Sequence, residues 1–127
     1  MKRVIVAIQN VLVLEAILNA LNKRGMYAET SLSSEHHKVA SLCKTIFADV
    51  LVMDITRFGE GVFDNRMETI NATKKQNPKI KICIIYDNEM DDELLFKILS
   101  AKEIGKIDMF FYQSVPSDYI ADVISTM

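Results

Sequence analysis

Residues 49–55 read Asp49-Val50-Leu51-Val52-Met53-Asp54-Ile55. Four apolar residues in an unbroken run, without polar alternation, predict a strand buried on both faces. The run ends on a carboxylate, Asp54, and a loop carrying Gly59 and Gly61 follows. A strand of this kind needs helices on both sides of its sheet, so the flanking sequence should alternate strand and helix.

It does so in both directions. Upstream, Val4 to Ile8 is a β-branched run read as a central strand. Residues 11–24 follow as a helix, with Leu14, Ile17, Leu18 and Leu21 on one stripe, Asn10 as N-cap and Gly25 as stop. Met26 to Leu32 reads as a weaker strand. Ser33 or Ser34 is then expected to cap a helix whose inner face is Val39, Leu42, Cys43, Ile46 and Phe47. Downstream of the loop, a helix carries Phe63, Met67 and Ile70 on one face and stops at Asn77-Pro78. Ile80 to Tyr86 is the fourth strand, and Asp87 to Asp92 an acidic turn. The next helix has Leu94, Leu95, Ile98 and Leu99 inward and ends at Gly105. Ile107 to Tyr112 is the fifth strand. Ser114 and Pro116 open a last helix with Ile120, Val123 and Ile124 inward.

The order is strand then helix, five times, with no repeat and no linker. It predicts one domain over residues 1–127, an α/β fold with a doubly wound, five-stranded parallel sheet of (βα)5 order and flavodoxin-like, three-layer form. Chemistry in such sheets gathers at the C-terminal ends of the strands. The residues standing there are Gln9 and Asn10, Asp54, Tyr86 and Asp87, and Gln113 and Ser114.

Composition narrows the function. The 127 residues are 50% hydrophobic and 25% charged, which excludes a disordered or collagen-like chain. Fifteen Lys and Arg stand against 17 Asp and Glu, a net charge of −2, so nothing drives nonspecific binding to nucleic acid. No apolar stretch is long enough to span a membrane. Met1-Lys2-Arg3 with the following apolar run is a poor signal peptide, because Gln9, Asn10 and Glu15 interrupt it. Cys43 and Cys83 are far apart and form no CxxC pair, which suits a reducing cytoplasm.

In its five-unit order, in Asp49 to Ile55, and in Gly59 five residues after Asp54, the chain resembles the receiver domain of two-component response regulators. The resemblance implies that Asp54 is the phosphoacceptor, served by a histidine kinase. It also implies an acidic pair at the end of the first strand that holds Mg²⁺, a Thr or Ser ending the fourth strand, and a Lys-Pro ending the fifth. At those places this chain has Ile8-Gln9, Tyr86 and Gln113-Ser114. Ile8 has no oxygen ligand and Gln9 a neutral one, whereas a hard divalent cation wants several oxygens and negative charge. Tyr86 has its hydroxyl at the far end of a ring, and Gln113 and neighbouring Asn10 carry no charge. Phosphoryl transfer needs its developing charge neutralised.

The leading expectation is therefore a degenerate receiver, a pseudo-receiver and not an enzyme, needing no cofactor and signalling through protein contacts with Asp54 vestigial. The alternative is a working phosphoacceptor in a phosphorelay with a weak Mg²⁺ site. A flavodoxin-like small-molecule binder is a third reading, although Gln9-Asn10-Val11-Leu12 lacks the Gly, Ser or Thr of a phosphate loop.

Receivers switch through the face made by the fourth helix, fifth strand and fifth helix. Phe110, Tyr112 and Tyr119 are the candidates for that face. Successive aromatics of a strand point to opposite faces, so Phe111 is expected in the core. Tyr86, Phe110 and Tyr119 are expected to cluster and to lock the switch, and a homodimer through this face is the favoured partner arrangement. Of the remaining features, His36-His37 read as solvated surface, the acidic run from Asp87 to Glu93 as helix capping, and Lys74, Lys75, Lys79 and Lys81 as a solvated patch.

Overall fold

The apolar runs become the strands of one parallel sheet. In the computed structural model, residues 1–31, 33–86 and 91–127 are described. The strands are β1 (Arg3–Ala7), β2 (Tyr27–Thr30), β3 (Val50–Ile55), β4 (Lys81–Tyr86) and β5 (Met109–Tyr112). The helices are α1 (Val11–Lys23), α2 (His36–Thr45), α3 (Phe63–Gln76), α4 (Asp92–Glu103) and α5 (Ser117–Thr126). A single 3-10 turn, Gly59–Gly61, separates β3 from α3. The strand order is β2-β1-β3-β4-β5, all parallel. This is the doubly wound (βα)5 arrangement that the sequence predicts.

Strand alternation divides the core into two layers. Ile5, Leu51, Met53, Ile55, Ile82, Ile84 and Tyr86 face α2, α3 and α4, where Val39, Cys43, Ile70 and Ile98 meet them. Val4, Val6, Val50, Val52, Cys83 and Ile85 face α1 and α5, against Ile17, Leu21, Ile120 and Ile124. All six residues of β3 are buried, as its continuous apolar run requires. The folded surface is 6934 Å². Area scaling for a monomer of 14.4 kDa gives about 6,800 Å².

The structure departs from expectation at several helix positions. Asn10 does cap α1, its side chain accepting from the Val13 N–H at 3.2 Å. The cap of α2 is Glu35 rather than a serine, with no side-chain cap bond. Ser33 Oγ instead accepts from the Glu35 N–H at 3.1 Å, one turn-step too early. Leu99 is on the exposed side of α4. Phe47, expected on the inner stripe of α2, is 77% exposed. The helix ends at Thr45, and Phe47 takes the left-handed conformation at φ 56° that turns the chain toward β3. That conformation costs a residue with a β-carbon about 1–2 kcal/mol. Leu32, Asp87 and Glu89 lie outside the described residues.

Both cysteines are buried in the core, one in each layer. Burial pushes the thiols of Cys43 and Cys83 from 9.0 up to about 12, with Asp108 adding to the rise at Cys83. Neither thiol should react with a thiol reagent at neutral pH in the native protein, and both should react on unfolding. The same shift sets a pH trend. Above the unfolded thiol value the open chain releases protons that the folded chain retains, so stability should fall as pH rises past 9.0. Urea titrations across that range read the slope.

Candidate functional site

A cleft of about 790 Å³ opens at the C-terminal ends of β1, β3 and β4, lined by Gln9, Asn10, Asp54, Thr56, Gln113 and Ser114 among others. The strand-end residues Gln9, Asn10, Asp54 and Gln113 are thus brought together. Tyr86 is not among them. Tyr86 pairs with Ile55, one step beyond the Asp54–Ile85 pair, and so points to the opposite face of the sheet. The β4 residue lining the cleft is Ile85, which has no hydroxyl.

Asp54 is neither open nor unpartnered. It is 7% exposed, and its Oδ2 accepts from the Gln9 main-chain N–H at 3.1 Å. Its Oδ1 forms an ion pair with Arg66 Nη2. Arg66 stands on α3 and is 2% exposed. Its Nε donates to the Asp54 carbonyl at 2.8 Å and its Nη2 to the Ala7 carbonyl at 3.2 Å. One guanidinium therefore caps the carbonyl ends of two adjacent strands and neutralises the carboxylate between them. Planar, delocalised charge with several donors suits such a buried place better than an ammonium would.

The sequence reading missed Arg66, although a signal was present. Phe63, Arg66, Ile70 and Thr73 stand at helical spacing, and the last three are buried. A charged residue on that inner stripe requires a buried partner, and Asp54 is the carboxylate within reach.

The loop around the site is tightly fitted. Thr56 N–H donates to the Gly61 carbonyl at 2.8 Å, and Thr56 Oγ1 donates to the Phe58 carbonyl at 2.8 Å. A β-carbon on Gly61 would stand 2.6 Å from Thr56 Oγ1 and 3.1 Å from Gln9 Oε1. The Gln9 side chain therefore packs on the turn at Gly59–Gly61.

These residues do not fit Mg²⁺. Among the described residues, the carboxylate lining the cleft is held by a fixed guanidinium, which repels a divalent cation, and Ile8 and Gln9 add no second carboxylate. Among the described residues, no three His, Cys, Asp or Glu side chains come together as metal ligands.

At the sheet's β5 edge the aromatics separate by layer. Tyr86 is 1% exposed, with its ring 5.6 Å from Phe110 and 4.3 Å from Tyr112. Burial and the Tyr112 hydroxyl push the Tyr86 phenol above its ordinary range. Tyr119 is exposed on α5 and packs edge-on against buried Phe111 at 6.1 Å. The expected cluster of Tyr86, Phe110 and Tyr119 is thus replaced by Tyr86, Phe110 and Tyr112. Tyr119 lies across the sheet, because strand alternation sends Phe111 to its side. His36, read as solvated, instead joins α2 to α3. Its Nδ1 lies 2.6 Å from Thr69 Oγ1 and its Nε2 2.8 Å from Glu68 Oε2.

No protein-family model matches the sequence, and no curated protein matches it. Solved structures do match in fold. The chemotaxis protein CheY4 of Vibrio cholerae aligns at TM-score 0.74 and 14% identity, over 99% of this chain and 98% of that one. A response-regulator receiver domain from Clostridium thermocellum aligns at TM-score 0.72 and 17% identity, over 99% and 93%. NtrX of Brucella abortus aligns at TM-score 0.78 and 16% identity, over 99% of this chain and 27% of the longer one. The chain has the CheY-like fold of response-regulator receiver domains. Among the described residues, no helix is long and apolar enough to cross a membrane.

Proposed function

We propose that this chain is a signalling module of the two-component type that has given up phosphoryl chemistry and acts by protein contact, a pseudo-receiver in which Asp54 is a vestigial phosphoacceptor. The observation that carries this reading is the buried Asp54–Arg66 pair. A nucleophilic carboxylate attacks with the charge on its oxygens, which a bound guanidinium draws away. Here one oxygen is held by a guanidinium and the other by a main-chain N–H. The strand ends offer no hydroxyl from β4 and no cation from Gln113. The partner surface in this reading is α4, β5 and α5, where Tyr112 and Tyr119 are exposed and Phe110 half-buried. A second copy of the chain is the favoured occupant.

The test uses amide NMR spectra with Mg²⁺, before and after beryllofluoride as a phosphoryl mimic. The expected result is an unchanged environment at Asp54. Mg²⁺-dependent shifts centred on Asp54 and reaching Phe110 would overturn the reading and restore a phosphoacceptor fed by a histidine kinase.

A further inference from the structure

Three helices of this fold end in the same way. In α1, the Gly25 N–H donates to Asn22 O and the Met26 N–H to Leu21 O. In α4, the Gly105 N–H donates to Lys102 O and the Lys106 N–H to Ala101 O. In α2, the Phe47 N–H donates to Lys44 O and the Ala48 N–H to Cys43 O. Each pair of bonds closes the helix around one left-handed residue. Gly25 and Gly105 hold φ at 77° and 86°, as the motif favours, but the third place is held by Phe47 at 56°. Among the described residues, Phe47 is the one non-glycine with positive φ.

Among the described residues, no core layer or ring pair uses the Phe47 side chain. Phe47 is 77% exposed, belongs to neither core layer and makes no ring contact among the described residues. Backbone and solvation both disfavour an aromatic there, while glycine would close the helix without either penalty. A residue kept against local preference points to a use outside the fold.

The surroundings say what kind of use. Phe47 stands at the N-terminal edge of the sheet, the end opposite Asp54. Beside it lies a concavity of about 340 Å³ lined by Lys44, Ala48, Asp49, Asn77 and Lys79 among others. Lys44 and Lys79 are exposed. Arg3 Nη1 donates to Ile46 O at 2.9 Å, so a third cation meets the chain one residue before Phe47. One carboxylate, the exposed Asp49, lines the same concavity against the two lysines, and it is engaged by the Arg3 N–H at 2.8 Å. An apolar knob beside a concave, cationic rim fits an acidic polypeptide segment bearing an aliphatic side chain. A flat bilayer would leave the concavity unfilled.

We propose that Phe47, Lys44 and Lys79 form a docking surface for an acidic segment of a partner protein. This surface is separate from the strand-end site and stands or falls independently of it. Its test is an NMR titration of the whole isotope-labelled chain with an unlabelled peptide of alternating glutamate and leucine. Expected are salt-sensitive shifts at Phe47, Lys44 and Lys79. Phe47→Gly should weaken binding about tenfold while raising the melting temperature, a pairing that a purely structural residue would not give. Lys79→Glu, on an exposed position, should weaken binding without affecting folding. Equal binding by Phe47→Gly, or no shifts at millimolar peptide, would overturn the proposal. So would binding to phosphatidylserine vesicles in place of the peptide, or self-association that Phe47→Gly abolishes.

Discussion

Replacing Arg66 by methionine is expected to lower the unfolding free energy by about 3–5 kcal/mol, since it leaves a buried carboxylate without its counter-charge. Asp54 is 7% exposed, so little solvent is there to take over. Three hydrogen bonds to Asp54 and Ala7 go with the guanidinium. Asp54→Leu alone should be damaging for the mirror reason, leaving a buried cation. The double variant should recover most of the loss, because exchanging a buried pair for apolar groups is often neutral. Urea unfolding of the two single variants and the double variant measures the coupling. Additive losses would show that the two residues act independently and would remove the main support for a self-neutralised site.

Tyr86→Ala should be nearly as severe, at about 3–5 kcal/mol, as for other large aromatics cut from a core. The ring is 1% exposed and bridges Phe110 and Tyr112, so its loss opens a hole beneath the β5 edge. Tyr86→Phe keeps the ring and its contact with Tyr112 and removes only the hydroxyl. It should cost about 1 kcal/mol at most, the usual worth of one polar interaction. A gap between the two variants places the weight on packing. Comparable losses would place it on the hydroxyl pair. Loss of the ring should also increase the mobility of Phe110, readable in its side-chain NMR relaxation.

The fold was legible because each of its strands except β2 is a short apolar run bounded by turn signals, and because the Asn10 side chain caps α1 while Gly25 and Gly105 supply the positive φ that stops a helix. The candidate site was legible as far as local order reaches: Gln9, Asn10, Asp54 and Gln113 do meet at one cleft. What escaped depends on facing and on long-range pairing. Tyr86 was assigned to the cleft, and one step of register sends it to the other layer. Phe47 continues the helical stripe of α2 in sequence, yet the helix ends before it. Arg66 was overlooked because its partners lie 12 and 59 residues away.

Those separations have a kinetic consequence. The guanidinium can be satisfied only after β1 and β3 lie side by side and α3 has docked over their ends. Its bonds therefore belong to the final consolidation of the sheet rather than to its nucleus. Removing Arg66 should leave the refolding rate almost unchanged and accelerate unfolding, so that nearly all the lost stability appears as a shortened native lifetime. The arginine then acts as a latch on how long the folded state persists, and stopped-flow unfolding and refolding of Arg66→Met would show it.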